Sequence, residues 1–384
     1  MKSKHFTLFV AKDWNIMKLI NKQTKERSHH VTPLAQESFP AIKRAFSTRN
    51  VPESAIQTLL TGDLAPKAGD LVLARVDRLR QHLRIELPNG RYSRLFVGDH
   101  IIVCYGNRYA ADQFESLVPD SLAPCHLVAG GGIASAMRFR HPKVKRPTEI
   151  SPLGLIGDST GKPLNLIDWK PDPGPQNKRY LPTFLVVGSS MNSGKTTTAA
   201  RLINVLNQDG YRTGAIKVTG TGSGCDLWRF RDAGASHALD FTDAGHASTY
   251  RLDDKAVLGI VNQLGDAMRN QDIDVIVMEV ADGLLQDETR ALLANSDFRD
   301  QVDGAFFNAV DSHSALHGVE CLQNLAYNVV AVSGVVSSNP LARQEFQSNC
   351  AVPVVTKKEI SQPGFGIDLM ERLATNAPEK VMQA

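Results

Sequence analysis

Residues 184–198, FLVVGSSMNSGKTTT, place a lysine and a run of hydroxyl side chains directly after a glycine-bearing turn. That combination suits a phosphate chain. FLVV reads as a buried strand, and TTTAARLINVL reads as a helix with Ala199, Leu202, Ile203 and Leu206 on one side and Gly210 as terminator. Strand, loop and helix then follow in the order of a phosphate-binding loop, in which free backbone N–H groups and the helix dipole attract an anion. Lys195 adds a point charge at the β- and γ-phosphates, and Thr196 offers a hydroxyl to magnesium. Gly188, Asn192, Ser193, Gly194, Lys195, Thr196 and Thr197 are therefore the candidate nucleotide contacts. Gly188 stands one residue earlier than the usual G-x-x-x-x-G-K-[ST] spacing requires.

Two further charged residues close apolar runs. Lys217 ends YRTGAIK, and Glu279 ends DVIVME. In an open α/β sheet, ligands bind at the carboxyl ends of the strands, so Lys195, Lys217 and Glu279 converge on one rim. Two lysines offset the charge of a transferring phosphoryl group, while Thr196 and a carboxylate hold the metal. These three are the candidate catalytic residues.

The G-x-x-x-x-x-G-K-T spacing, with GYRTGAIKVTGTGSG (210–224) and DVIVMEVADGLL (274–285), resembles the dethiobiotin synthetase branch of P-loop proteins, a class that also holds signal-recognition and Min-type proteins. The resemblance covers only the C-terminal part. It implies that Lys217 stands at that family's strand-end lysine and Glu279 at its metal-binding glutamate, with Asp226, in CDLWRFRDAG, at its metal-binding aspartate. It also implies that DAGASHALDFTDAGHASTYRL (232–252) helps to form the substrate site, which makes Asp240, Asp243 and His246 candidate substrate contacts. The expected activity is phosphorylation or ligation of a small molecule with ATP and Mg2+, by a homodimer. No guanine-reading N-K-x-D tetrapeptide occurs, so ATP is the expected nucleotide. Two alternatives remain, a nucleotide-switched ATPase and a polynucleotide kinase, each acting on nucleic acid or an acidic partner through the N-terminal part.

These elements need a scaffold, and the chain of 384 residues is long enough for two domains. The punctuated stretch 157–182 separates a domain over 1–156 from a P-loop domain over 183–384. The second alternates apolar runs (FLVVG, YRTGAIKV, DVIVMEV, GAFFNAV, NVVAVSG, VPVVT) with helix-length segments, which predicts an α/β fold with a mainly parallel sheet. In the first, AGDLVLARV, VGDHIIVCY and a Pro-Asn-Gly turn predict a small antiparallel β-barrel or sandwich, preceded by a helix over NVPESAIQTLLTG (50–62). YGNRYAADQFE (105–115) and the glycine-rich LVAGGGIASAM have no assignable role at this level, and the first 35 or so residues fit no element.

Net charge is +3, but it divides unevenly. Residues 1–150 hold 23 Lys and Arg against 13 Asp and Glu, and residues 151–384 hold 20 against 27. The basic half suits nucleic acid, an acidic partner or the acidic half of its own chain. Arg75, Arg78, Arg80, Arg84, Arg91 and Arg94 lie near Tyr92 and Phe96, a pattern of single-strand binding barrels that also arises from simple alternation on a half-exposed strand. Five scattered cysteines with no C-x-x-C spacing predict reduced thiols. No apolar run reaches eighteen residues and no signal peptide is evident at the start, so a cytoplasmic protein with no membrane partner is expected.

Overall fold

The computed structural model describes residues 29–34, 41–175 and 179–376. Most of the first 35 residues lie outside that set. The N-terminal domain is built on five strands: β1 (Leu71–Arg78), β2 (His100–Tyr105), β3 (Cys125–Ala129), β4 (Ile133–Arg140) and β5 (Thr148–Gly157). Their pairing runs β5–β1–β2–β4–β3 and back to β5, so the ring closes into a small barrel. All of these pairs are antiparallel except β2–β4.

Alternation assigns the two faces. Val72, Ala74, Val76, Ile101, Val103, Leu127 and Ile150 fill the barrel interior. Their neighbours Leu71, Leu73, Ile102, Cys104 and Val128 form a second buried layer outside it, under Val51, Ile56, Leu164 and Leu166. Burial on both faces explains why LVLA and IIVCY read as continuous apolar runs. Leu164 and Leu166, from the Pro/Gly-rich stretch, belong to this outer layer.

The helix expected over 50–62 does not form. The segment makes one 3-10 turn, Glu53–Ala55, and then a strand, Thr58–Gly62, that pairs with β5. Thr58 and Leu60 point inward while Leu59 and Thr61 are half-buried, a period of two that tertiary pairing selects over the helical period. The Pro-Asn-Gly turn does close a hairpin between Arg84–Glu86 and Tyr92–Arg94. Gly90 at its tip has φ +84, and a Cβ there would come within 2.7 Å of the Trp228 ring, so the tip has room only for glycine.

The C-terminal domain is a six-stranded, wholly parallel sheet: β6 (Thr183–Gly188), β7 (Thr213–Lys217), β8 (His237–Asp240), β9 (Val275–Glu279), β10 (Gly304–Ala309) and β11 (Val329–Gly334), in the order β8-β7-β9-β6-β10-β11. Helices α1 (Lys195–Gln208) and α2 (Cys225–Asp232) cover one face through Leu202, Leu206, Leu227 and Phe230. Helices α3 (Asp254–Arg269) and α4 (Ser312–Asn324) cover the other through Ile260, Leu264, Val319 and Leu322. Two details differ from expectation. VPVVT contributes a single bridge, Val332 to Val354, rather than a strand. The sixth strand is instead β8, four residues at the sheet edge inside the 232–252 stretch, where HALD carries no β-branched residue to announce it.

The two domains share apolar cores. Phe46 packs with the α1–α2 layer, and Ala247 packs with the outer layer of the barrel.

Candidate functional site

The loop after β6 is shaped by steric necessity. A Cβ on Gly188 would approach Ser193 Oγ to 2.4 Å and the Asn308 carbonyl to 2.7 Å. Gly194 has φ +107 and lies against Gly334, where a Cβ would meet its Cα at 2.9 Å. The loop therefore folds back tightly upon itself, with Asn192 in the left-handed region at its tip. Helix α1 starts at Lys195 with no side-chain cap and no acid in its first turn, which leaves its first N–H groups and the positive end of its dipole for an anion. Behind it, Thr198 donates to Asn308 Oδ1 at 2.6 Å and fixes the helix to β10.

Register brings the strand-end charges together. Lys217 on β7 is the direct cross-strand partner of Glu279 on β9, and Glu279 is in turn level with Val186 on β6. Lys217 Nζ is 3.4 Å from Glu279 Oε1 and also bonds the Asp226 carboxylate at the start of α2. Burial opposes the lysine's charge, but the two acids outweigh it and raise its pKa. Burial raises the Glu279 carboxyl, against the pull of Lys217. Asp226 is held below its ordinary value, since Lys217 outweighs the burial that would raise it.

Lys195 Nζ donates to the carbonyls of Ser190 and Asp282, each at 2.7 Å, so its stem lies along the loop. Burial pushes its pKa down to about 8, despite Glu279 and Asp282. Thr196 Oγ1 donates to Glu279 Oε1 at 3.0 Å, and Glu279 Oε2 is buried with no hydrogen-bond partner. A hydroxyl beside carboxylates with an unsatisfied oxygen is the donor chemistry that a hard divalent cation takes. Among the described residues no three His, Cys, Asp or Glu side chains form a metal cluster.

Lys195, Thr196, Thr197, Asn192, Gly194, Lys217, Asp226 and Glu279 all line one cavity of about 440 Å³. Of the remaining expected nucleotide contacts, Gly188 and Ser193 lie beneath the loop, and Ser193 is wholly buried with an unpartnered Oγ. The candidate substrate contacts are elsewhere. Asp240 and Asp243 face the barrel domain: Arg49 reaches Asp243 at 2.6 Å and Asp240 at 3.5 Å, and Asn50 donates to Asp243 at 3.0 Å. His246 is half-buried in the same turn and does not line the cavity. Both carboxylates take part in the domain contact, since they are buried beside Arg49 and the closer one lies at ion-pair distance from it.

What covers the cavity instead comes from the barrel. Arg108, Tyr109 and Ala110 line it, and Asn192 at the loop tip donates to Asp112 at 3.0 Å. Tyr109 packs on Tyr250 with ring centroids 5.5 Å apart. Arg229 and Asp282 complete the wall. None of these carries a motif; Arg108 sits in YGNRYAADQFE, whose only signal is a polar run between two short strands. A third contact anchors α2: the wholly buried Glu86 accepts from Gly224 N at 2.9 Å, Trp228 Nε1 at 2.7 Å and Ser223 Oγ at 3.2 Å.

With this geometry in place, residues 183–281 match the family model of molybdopterin guanine dinucleotide synthesis protein B. The C-terminal domain is a P-loop NTPase domain. The matching family is thus a different one from the dethiobiotin synthetases that the motifs resemble, and the match includes none of the barrel. No curated protein matches the chain by sequence. Similar solved structures include the signal recognition particle receptor FtsY of Elizabethkingia anophelis (16% identity, 54% of this chain and 69% of that one, TM-score 0.35). They also include HypB of Helicobacter pylori in complex with nickel (16%, 51% and 88%, 0.34) and the signal recognition particle 54 kDa protein of Aeropyrum pernix K1 with GDP (16%, 56% and 53%, 0.35). No helix among the described residues is long and apolar enough to cross a membrane.

Proposed function

We propose that this protein is a magnesium- and nucleoside triphosphate-dependent enzyme that transfers a phosphoryl group to a small acceptor held in the cavity between its domains. The observation that carries the reading is the convergence of Lys195, Thr196, Lys217, Asp226 and Glu279 on one cavity at the carboxyl ends of β6, β7 and β9. The uncapped start of α1 binds the phosphate chain, and Lys195 adds charge along it. Thr196, Asp226 and Glu279 are the residues that would hold magnesium, which when bound neutralises charge on the phosphates. Lys217, kept protonated by its two acids, presents a fixed cation to the transferring group, so that charge developing there meets a preorganised partner. Arg108, Tyr109 and Ala110 of the barrel wall one side of the cavity, where a bound acceptor displaces water from the phosphoryl group and so favours transfer over hydrolysis. ATP is the first triphosphate to test, with GTP beside it. Turnover that rises on addition of a fractionated metabolite extract supports the reading; turnover indifferent to every fraction contradicts it.

A second reading has its own observation. Arg84, Arg91, Tyr92, Arg94, Phe96 and Val97 are exposed together on the barrel, with Arg84 over the Tyr92 ring at 6.0 Å and Lys43 over Phe96 at 5.3 Å. Such a strip suits a single-stranded nucleic acid as acceptor or effector. Stimulation of turnover by oligonucleotides, lost steeply with salt, distinguishes it.

A further inference from the structure

Arg108 is a buried cation in the cavity wall whose chemistry the proposed transfer leaves unused. It lies on the short strand Arg108–Tyr109 of the N-terminal domain and is 8% exposed, yet its neighbours satisfy only part of it. Nη2 donates to Gln113 Oε1 at 2.9 Å, and the guanidinium lies 5.6 Å from the Phe114 ring centroid. Nε and Nη1 are buried with no partner. Among the described residues it makes no ion pair: Asp112, whose charge favours the guanidinium, gives one oxygen to Asn192 of the phosphate loop and holds the other buried without a partner, beyond ion-pair distance of Arg108. A guanidinium buried with two unpaired donor groups is costly unless an anion completes it. The cavity that Arg108 lines is the one built for a phosphate chain.

We infer that Arg108 binds the terminal phosphoryl group of the triphosphate held by the 188–196 loop, so that the barrel supplies a catalytic arginine in cis. The inference rests on the phosphate-binding reading of that loop. The α1 N-terminus and Lys195 serve the phosphate chain along the loop, and Lys217 meets the terminal group from the sheet rim; that group carries the most charge, so a second cation arriving from the barrel offsets it further. In the transfer, the acceptor oxygen bonds to the γ-phosphorus as the bond from phosphorus to the bridging oxygen breaks. The electron pair stays on the departing diphosphate, and the acceptor's proton leaves to water. Arg108 keeps its protons throughout and stabilises charge on the phosphoryl oxygens.

The test compares triphosphate and diphosphate affinity, read with fluorescent ATP, GTP, ADP and GDP analogues, in the full chain and in Arg108→Met, which keeps an apolar stem against Phe114. The wild type is expected to prefer the triphosphate, and the variant to lose that preference by about tenfold or more with diphosphate affinity within about twofold. Any hydrolysis or transfer is expected to fall by about a thousandfold in kcat, with partial recovery on adding guanidinium. Should Arg108→Met not fold, Arg108→Lys keeps the charge but not the planar fork, and a kcat about tenfold or more below wild type is expected. An unchanged preference and turnover, or equal loss of both nucleotides, overturns the role of Arg108 while leaving the loop assignment intact. A wild type that binds no nucleotide removes the loop assignment and this inference together.

Discussion

Removing the Glu86 carboxylate tests whether the domain contact is as strongly coupled to the site as its hydrogen bonds imply. Glu86 is wholly buried on the hairpin strand Arg84–Glu86, and it accepts the Gly224 amide at 2.9 Å and the Trp228 indole N–H at 2.7 Å. In Glu86→Ala both donors lose their acceptor, the Gly224 amide in a buried position and the Trp228 N–H in a partly buried one, and Ser223 loses a weaker one at 3.2 Å. Hydrogen bonds to a charged acceptor contribute about 1.5–3 kcal/mol each, so two lost bonds give about 3–6 kcal/mol. Water entering the space left by the carboxylate moves the result towards the lower end. Glu86→Gln retains the shape and one acceptor oxygen but turns an NH2 group towards a donor, so about half that loss is expected. Equilibrium urea unfolding, followed by tryptophan emission, reads both the lost stability and the altered surroundings of Trp228. Since Gly224 immediately precedes α2, which carries Asp226, the Lys217–Asp226 contact should loosen too, and turnover should fall with stability. A Glu86→Ala protein within about 1 kcal/mol of wild type, with unchanged emission, refutes the reasoning.

Four further outcomes follow from the same geometry. Because burial places Lys195 near pH 8 in the free protein and phosphate binding needs its charged form, nucleotide affinity should hold below that pH and fall about tenfold per unit above it; titration calorimetry should show this slope vanish in Lys195→Arg. The same depressed lysine makes the unfolded chain bind more protons between about 8 and 10.5, so its contribution to stability rises across that window. Glu279→Gln should raise the magnesium concentration needed for half-maximal turnover by about tenfold, measured by metal titration at fixed nucleotide. Asp243→Asn should cost about 3 kcal/mol of stability by removing the charge of the closest carboxylate to the half-buried Arg49, while kcat of the folded protein stays within about twofold, a split that separates a structural role from a substrate contact.

Several parts of this arrangement are legible in the sequence because short-range physics determines them. FLVV, VIVM and GAFFNA stand out as strands since a parallel sheet covered on both faces needs uninterrupted apolar runs, and all three are buried throughout. Lys217 and Glu279 stand out because a charge terminating such a run must lie at the sheet's rim. Asp240 and Asp243 look no different from pocket acids on that basis, and their contact with Arg49, 194 residues away from Asp243 in the chain, lies beyond any short-range pattern. Arg108 is hidden for the same reason, since its approach to the phosphate loop depends on how the barrel docks. The strand Thr58–Gly62 was concealed differently: Asn50, Pro52 and Gly62 are good helix punctuation, and only pairing with β5 overrides them.

Calorimetric titration of the full chain with ATP and GTP in the presence of magnesium, alongside Lys195→Ala, bears most directly on the claim that the loop after β6 receives a triphosphate. Saturable binding of one nucleotide per chain in the wild type, weakened at least about a hundredfold in the variant, is the result expected here. Wild-type protein that gives no heat with either nucleotide, or a variant that binds as tightly as wild type, would contradict it.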